Sequence, residues 1–144
     1  MVILESKSAA ATPAFELIAE GWNFLVQEGL SPDYRGVCPV DWHNKVLYAC
    51  VGDRPGDGEV VGVLCYQHDD VCNAYVVSLA YVEPTSRKQG VFRALWNALL
   101  DRAKDKNVSR VILEVSVRNA TAKAAMSRLG AEPERVVYEL VREA

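Results

Sequence analysis

The chain has 144 residues, of which 50% are hydrophobic and 24% are charged, and its formal net charge is -3 at pH 7. This balance is typical of one globular domain, which we expect over residues 1–144, and the length is sufficient to bury a core without disulfides or a metal. The acidic balance argues against a nucleic acid or an anionic membrane as the partner.

The cysteine, histidine and apolar patterns argue against a metal or redox protein and against a membrane or secreted protein. The four cysteines stand singly, without the C-x-x-C spacing of metal or redox sites, and the two histidines have no ligand set at metal spacing. We therefore predict reduced thiols and no bound metal. No apolar run approaches the ~20 residues of a membrane helix, and the first residues lack a basic signal-peptide opening. We expect a cytoplasmic protein.

The first predicted helix follows a short strand at the amino terminus and a linker of small residues. Thr12 suits the N-cap, with Pro13 at the first helical position, and Gly29 ends the helix. One face of this helix is predicted to be apolar and to pack against the sheet. The residues on that face are Phe15, Ile18, Trp22, Leu25 and Val26.

The middle of the chain is predicted to form a sheet. Leu30 to Lys45 is irregular, with a short helix predicted around Val40 to Asn44. Three apolar runs separated by turn residues predict antiparallel strands. They are Val46 to Val51, Val60 to Tyr66 and Val71 to Val82. Because these runs are apolar on both faces, helices should cover both sides of the sheet.

The carboxyl-terminal half predicts a strand, a crossover helix and a second, parallel strand. Gly90 to Lys106 has the periodicity of an amphipathic helix, and Arg110 to Val117 returns as a strand. Such a crossover is expected to be right-handed. Asn119 can cap a further helix that runs to Leu129, and Arg135 to Val141 is predicted as a final strand.

The segment from Val82 to Arg93 takes a strand through a basic turn into a helix. Backbone N–H groups at a helix start have no partner inside the helix, and the helix dipole favours an anion there. Gly90 lets the backbone come close to such an anion. Arg87, Lys88 and Arg93 add positive charge around the same turn. The segment therefore predicts a phosphate cradle, although a solvated basic turn would have the same composition.

Two linked motifs resemble those of a known family. The spacing Val82-x-Pro84-x-x-Arg87-x-x-Gly90 resembles the coenzyme A pyrophosphate motif of the GNAT superfamily of acetyl-CoA-dependent N-acetyltransferases. A second match runs from Leu113 through Asn119 to Gly130 and is similar to that family's next strand and helix. No P-loop or G-x-G-x-x-G fingerprint of a nucleotide fold is present in the sequence.

The resemblance implies an α/β (α+β) fold with a mixed, mostly antiparallel central sheet and helices on both faces. It implies that acetyl-CoA is the cosubstrate and that the acceptor is a primary amine of a small molecule or a peptide. The backbone of Leu79 to Val82 would pair with the pantetheine arm, and Asn119 would bond that arm from the other side. The implied cofactor-binding residues are Leu79, Ala80, Tyr81, Val82, Arg87, Lys88, Gln89, Gly90, Val91, Phe92, Arg93 and Asn119.

The chain departs from the family pattern at two positions. Phe92 stands where the family often has Gly or Ala, so the helix start must accommodate a ring. Met126 stands where many relatives place a Tyr that protonates the leaving thiolate. A thioether cannot donate a proton, so that role is vacant or is filled by another group.

The general base is left open by the sequence. The strand from Tyr75 to Val82 carries no carboxylate. Glu114 is one candidate, because a charge inside an apolar strand would be a stronger base when buried, but a paired carboxylate at the end of a sheet would look the same. The other candidates are Glu83, Tyr138 and the Asp69-Asp70 turn, and Tyr34, Trp42 and His43 are candidates for the acceptor pocket.

A second functional class stays open. Loss of the Tyr at Met126 is also compatible with a non-catalytic module that binds acyl-CoA as a sensor or interaction domain. A homodimer is a further open alternative. A cationic acceptor is favoured because the chain is acidic overall.

Overall fold

The computed structural model describes residues 1–30, 38–52, 58–134, 138 and 140. Five strands in this part of the chain form one sheet in sequence order. They are β1 (Val2–Ser6), β2 (Lys45–Val51), β3 (Glu59–Asp69), β4 (Ala74–Val82) and β5 (Arg110–Leu113). Neighbouring strands are antiparallel except β4 and β5, which are parallel. The predicted mixed, mostly antiparallel sheet is confirmed.

Helices cover both faces of this sheet, as predicted. They are α1 (Phe15–Gln27), α2 (Val91–Asp105) and α3 (Ala120–Arg128), and a short 3-10 turn spans Pro84–Ser86. Leu17 and Ile18 of α1 are buried in one hydrophobic cluster, whereas Leu95 and Leu99 of α2 are buried in the other. Each fully buried side chain of this kind contributes about 1.5–3 kcal/mol. The sheet is thus held between two separate cores.

A bulge interrupts β4 at Ser78. Val77 is opposite Tyr66 of β3 and Leu79 is opposite Cys65, so Ser78 is the extra residue. Because side chains alternate along a strand, one extra residue reverses which face the following residues occupy. Val77 accordingly packs in the α2-side cluster, while Leu79 packs in the α1-side cluster.

Beyond this bulge β4 also loses its second neighbour. The last β4–β5 pair is Val77 with Leu113, and β4 continues to Val82. The described part of the chain pairs no strand with Ser78–Val82 on the β5 side. A gap therefore opens between the two parallel strands.

Several predicted element boundaries are wrong. Helix α1 begins at Phe15 with Ala14 as N-cap, because the Thr12 hydroxyl accepts a hydrogen bond from the Ala14 N–H, 3.2 Å away, and holds a turn that precedes the helix. Phe15 is consequently 65% exposed and not part of the packed face. Val40 to Asn44 forms a turn rather than a helix.

Two strand boundaries are corrected as well. Val71 is 98% exposed in the β3–β4 turn, so β4 starts at Ala74. Strand β5 ends at Leu113 instead of Val117, because the gap leaves no neighbouring backbone for it to pair with. Glu114 therefore lies after the strand and is exposed.

Two other predictions lie outside the described residues. The final strand over residues 135–141 is one of them; within it only Tyr138 and Leu140 are described, and both are exposed. The proposed pocket residue at position 34 is the other. Among the described helices, none combines the length and apolar character needed to span a bilayer.

Candidate active site

The open edge of β4 is the first component of the site. The Glu83 N–H donates a hydrogen bond of 2.8 Å to the Val61 carbonyl of β3. Because successive residues on a strand direct their backbone groups to opposite edges, Val82 and Ala80 face the gap instead. The open edge therefore offers the N–H and C=O of Ala80 and the N–H of Val82 to an extended ligand, while the Val82 carbonyl already accepts a hydrogen bond from the Arg87 side chain.

The loop after β4 is ordered by its own side chains. The Glu83 carboxylate accepts hydrogen bonds from the Thr85 hydroxyl at 2.6 Å and from the Ser86 hydroxyl at 3.1 Å. The Gln89 amide donates to the Thr85 carbonyl at 3.3 Å. The hydrogen bond from Thr85 holds the pKa of the Glu83 carboxyl below its usual value. Glu83 thus holds the loop in shape, and its lowered pKa makes it a weaker base.

This loop presents the amino terminus of α2 without a cap. Lys88 and Gly90 both have left-handed backbone, with φ of 63° and 81°, and such turns form concavities lined by N–H groups. No side chain caps α2, and a Cβ built on Gly90 would meet no atom within 4 Å among the described residues. Open space thus lies at a helix start, where an anion is favoured.

Arg87 joins this loop to α1. Its guanidinium carbon lies 5.4 Å from the centre of the Phe24 ring and 5.3 Å from that of the Tyr81 ring. Its Nε donates to the Val82 carbonyl at 3.0 Å. Cation–π contacts of this kind are worth about 0.5–1 kcal/mol at exposed sites. The guanidinium is therefore placed beside the open edge of β4 by weak contacts that a phosphate could replace.

The remaining cofactor candidates divide into backbone and side-chain contributors. Leu79 and Val91 are buried in the cores, so only their backbone atoms could touch a ligand. The Phe92 ring packs against the α2-side cluster, with its centre 6.2 Å from that of Trp96, which is how the helix start accommodates it. Lys88 and Arg93 are exposed at the loop and the first turn of α2.

Asn119 lies on the other side of the gap, after β5. Its Oδ1 accepts a hydrogen bond of 3.1 Å from the Ala122 N–H, so it is the N-cap of α3 as the sequence predicted. The helix it starts carries Met126, which is half-buried and packs against the α2-side cluster. The position of the missing Tyr is thus occupied by a packing side chain.

A groove of ≈ 480 Å³ runs between the polar face of α1 and Tyr81 of β4. The Tyr81 hydroxyl donates to Glu20 at 3.2 Å. Burial raises the pKa of Tyr81, Glu20 raises it further, and Arg87 opposes the rise. The hydroxyl therefore stays protonated near neutral pH and acts as a donor. The groove is lined by Phe15, Glu16, Ala19, Glu20, Asn23, Phe24, Gln27 and Tyr81.

The structure gives little support to the proposed bases. Glu114 is exposed beyond the end of β5, so the burial on which its role depended is absent. Tyr138 is 94% exposed. The Asp69-Asp70 turn precedes β4, so it lies at the opposite end of that strand from the gap. Each residue of a strand adds ~3.3 Å to that separation. Among the described residues no group of three or more His, Cys, Asp or Glu could hold a metal.

Sequence reasoning missed the carboxylates that line the groove. Glu16 and Glu20 stand four residues apart on the polar face of α1, a pattern that by itself predicts only a solvated surface. Their importance depends on Tyr81, which is distant in sequence. Of the predicted acceptor residues, Trp42 borders a second groove of ≈ 400 Å³, and His43 stacks on Trp42 at 3.5 Å between ring centres.

Comparison with known proteins places this geometry in a family. A profile described as the Acetyltransferase (GNAT) family matches residues 14–131. No curated protein sequence matches the chain closely enough to count as a relative. Solved structures do match over most of the chain.

Three of these solved structures illustrate the similarity in fold. A ribosomal-protein-alanine N-acetyltransferase from Brucella melitensis biovar Abortus 2308 has a TM-score of 0.68 and 18% identity, over 99% of this chain and 100% of that one. The aminoglycoside N-acetyltransferase AAC(6')-Iy, in complex with CoA, has a TM-score of 0.62 and 19% identity, over 98% and 99%. The N-acetylglutamate synthase from Neisseria gonorrhoeae, complexed with coenzyme A and N-acetyl-glutamate, has a TM-score of 0.57 and 16% identity. The match covers 87% of this chain and 28% of that one.

At these identities the structural likeness shows the fold alone. The profile match is the independent observation, because it spans most of the chain and includes both the loop after β4 and the helix after β5. The chain belongs to the GNAT acetyltransferase family.

Proposed function

We propose that the protein transfers the acetyl group of acetyl-CoA to an amine of a small molecule or a peptide. The proposal rests mainly on one observation, which is that the open strand edge and the uncapped helix start adjoin each other. The open edge of β4 runs directly into the ordered loop and the uncapped start of α2. A ligand with an extended arm and a pyrophosphate would satisfy both at once.

The cofactor would be bound in two parts. The pyrophosphate would lie at Gly90, receiving hydrogen bonds from the first N–H groups of α2 and charge from Arg87. The pantetheine arm would pair with the backbone of Ala80 and Val82, like an added strand. The thioester would then lie toward Ser78, where β4 and β5 diverge.

The reaction would proceed by direct attack. The neutral amine nitrogen forms a bond to the thioester carbonyl carbon, the C–S bond breaks, and the sulfur leaves as a thiolate. The ammonium proton passes to water or to a groove carboxylate, and the thiolate takes a proton from solvent. Because free thiols titrate near pH ~8.5, a thiolate can leave without an acid at Met126. Positioning of the two substrates is then the main contribution of the protein.

The acceptor is proposed to be cationic. Glu16 and Glu20 line the groove on α1, and the chain has a net charge of -3. Carboxylates beside the open edge of β4 would attract an ammonium group. The hydrogen bond from the Tyr81 hydroxyl would hold the Glu20 carboxylate in place, so that the ammonium group lies near the gap. By name, structures of similar fold include an aminoglycoside N-acetyltransferase and a ribosomal-protein-alanine N-acetyltransferase, which supports an amine as the acceptor.

The test is release of free thiol from acetyl-CoA in the presence of a panel of amines. The panel should include polycationic, monocationic and amino-terminal peptide amines at matched concentrations. We expect thiol release that requires both amine and protein, with polycationic amines preferred and the preference weakened by salt. Coenzyme A binding by calorimetry with no thiol release for any amine would instead favour the non-catalytic sensor.

A further inference from the structure

Asn44 is buried with 0% exposure and is the one buried polar side chain in the described ranges. A buried amide is costly unless each of its polar atoms is bonded. Its Oδ1 accepts a hydrogen bond of 2.9 Å from the Asp41 N–H, and its Nδ2 donates to the Ser78 hydroxyl at 2.8 Å. Because the Asp41 N–H can only donate, the orientation of the amide is fixed and the Ser78 oxygen must be the acceptor.

The backbone of Asn44 is equally occupied. Its carbonyl accepts from the Ala9 N–H at 2.9 Å, and its N–H donates to the Asp41 carbonyl at 3.1 Å. Asn44 thus joins three parts of the chain: the linker before α1, the turn before β2, and β4. The contact to Ser78 is the one among these bonds that reaches the sheet edge next to the gap.

Ser78 is the extra residue of the β4 bulge. The bulge sets which face Leu79 and the following residues occupy, and it lies directly after the last β4–β5 pair at Val77. A fixed Ser78 side chain therefore fixes where β4 turns away from β5. The backbone of Ala80, two residues on, depends on that turn for its direction.

We propose that the Asn44–Ser78 hydrogen bond is a positioning contact for acetyl transfer, which aligns the open edge of β4 with the turn at Asp41 and Trp42. That turn borders the ≈ 400 Å³ groove next to α1. The inference rests on the proposed function, since it places the thioester near the bulge. Neither residue reacts: the contact acts on the distance between the two substrates, to which rates are sensitive at the scale of ~1 Å.

The test is Ser78→Ala, which removes the acceptor of the Asn44 amide. We expect kcat to fall tenfold or more and the dissociation constant of coenzyme A to rise only severalfold, because the pyrophosphate loop is untouched and only the pairing of the pantetheine arm with Ala80 and Val82 is loosened. Ser78→Thr keeps the hydroxyl and should restore most of kcat. Ser78→Cys is near-isosteric and has only a weak acceptor, so we expect it to stay folded and to show the same fall in kcat that is expected of Ser78→Ala.

Ser8→Ala is the matched control. The Ser8 hydroxyl donates to the Trp42 carbonyl at 2.8 Å, so this variant removes a bond to the same turn without touching β4. The proposal is overturned if Ser8→Ala lowers kcat as much as Ser78→Ala does, or if Ser78→Ala and Ser78→Cys both retain the parent kcat.

Amide hydrogen exchange decides the proposal independently of turnover. In Ser78→Cys we expect faster exchange both at residues 41–44 and at residues 79–82, whereas Ser8→Ala should affect only the first of these segments. Unchanged exchange at residues 79–82 in Ser78→Cys would overturn the positioning role. If the parent acetylates no amine, the proposed function fails, and the exchange result still decides whether this contact holds the edge of β4.

Discussion

Gly90, in the proposed phosphate cradle, has a matched counterpart outside the cradle in Gly130. Gly90 and Gly130 have nearly the same left-handed backbone, with φ of 81° and 83°, and a Cβ on either would meet no described atom within 4 Å. One precedes α2 and the other follows α3. They therefore share the conformational demand on glycine and differ in whether a proposed ligand approaches.

We predict that Gly90→Val abolishes coenzyme A binding and that Gly130→Val leaves it within about twofold of the parent. Left-handed backbone costs a non-glycine residue about 1–2 kcal/mol, so both variants should lose similar stability. Only the first places methyl groups where the pyrophosphate would lie. Calorimetry with coenzyme A and thermal melts of both variants measure the two effects, and equal affinities would contradict the cradle.

Substitution of Met126 tests whether the departing thiolate needs a proton donor at this position. The side chain is half-buried against the α2-side core and cannot donate a proton. We predict that Met126→Ala keeps turnover within roughly tenfold of the parent, about 1.4 kcal/mol in barrier, because only packing is lost. Steady-state thiol release measures this. A loss of several orders of magnitude with coenzyme A affinity intact would mean that Met126 orders the reacting groups.

At the scale of elements, two glycines let the helices approach the sheet. A Cβ on Gly62 of β3 would lie 2.5 Å from Val91 Cγ1, at the first residue of α2. A Cβ on Gly21 of α1 would lie 2.7 Å from the Tyr81 Cβ. Each position therefore sets the distance between one helix and the sheet, on opposite faces.

We predict that Gly62→Ala lowers coenzyme A affinity severalfold and that Gly21→Ala does so less. Both variants overpack a helix–sheet contact, which costs about 1–3 kcal/mol. Gly62→Ala displaces the amino terminus of α2, where the pyrophosphate would bind, while Gly21→Ala displaces the groove and should raise the Michaelis constant of the amine instead. Calorimetry and steady-state kinetics separate the two, and the reverse ranking would show that α2 does not position the cofactor.

Across the whole molecule, one polar network links three elements. The Tyr66 hydroxyl of β3 donates to Glu5 of β1 at 3.0 Å, and Glu5 forms an ion pair with Arg102 of α2. Burial raises the pKa of Tyr66, and Glu5 raises it further. Burial raises the pKa of Tyr75 as well. Because these pKa values are higher in the folded than in the unfolded chain, the stability they contribute is complete below pH ~10 and is lost as the pH rises through the folded values.

We predict that the melting temperature falls as the pH rises above about 10, and that Tyr66→Phe makes this fall shallower. The variant lacks the hydroxyl that ionises in the unfolded chain but stays protonated when it is buried. Tyr138→Phe is the control, since Tyr138 is 94% exposed and loses the same atom without burial. Thermal melts between about pH 8 and about pH 11 measure the slope. Equal slopes for Tyr66→Phe and Tyr138→Phe would contradict the assignment.

The sequence by itself determined the local features. Apolar runs separated by turn residues predicted β2, β3 and most of β4, and apolar periodicity predicted α2. The loop from Glu83 to Gly90 and the Asn119 cap were readable because each depends on residues a few positions apart. Periodicity and capping are short-range effects, so one stretch of sequence contains all the partners.

The tertiary structure decided the features whose partners are distant in sequence. β5 stops at Leu113 although the sequence pattern continues, because a strand needs a neighbouring backbone and β4 turns away at Ser78. The groove pairs Glu20 with Tyr81, 61 residues apart, and the buried Asn44 meets Ser78 across 34 residues. These contacts form only once the helices and the sheet have packed, so no local pattern in the chain contains them.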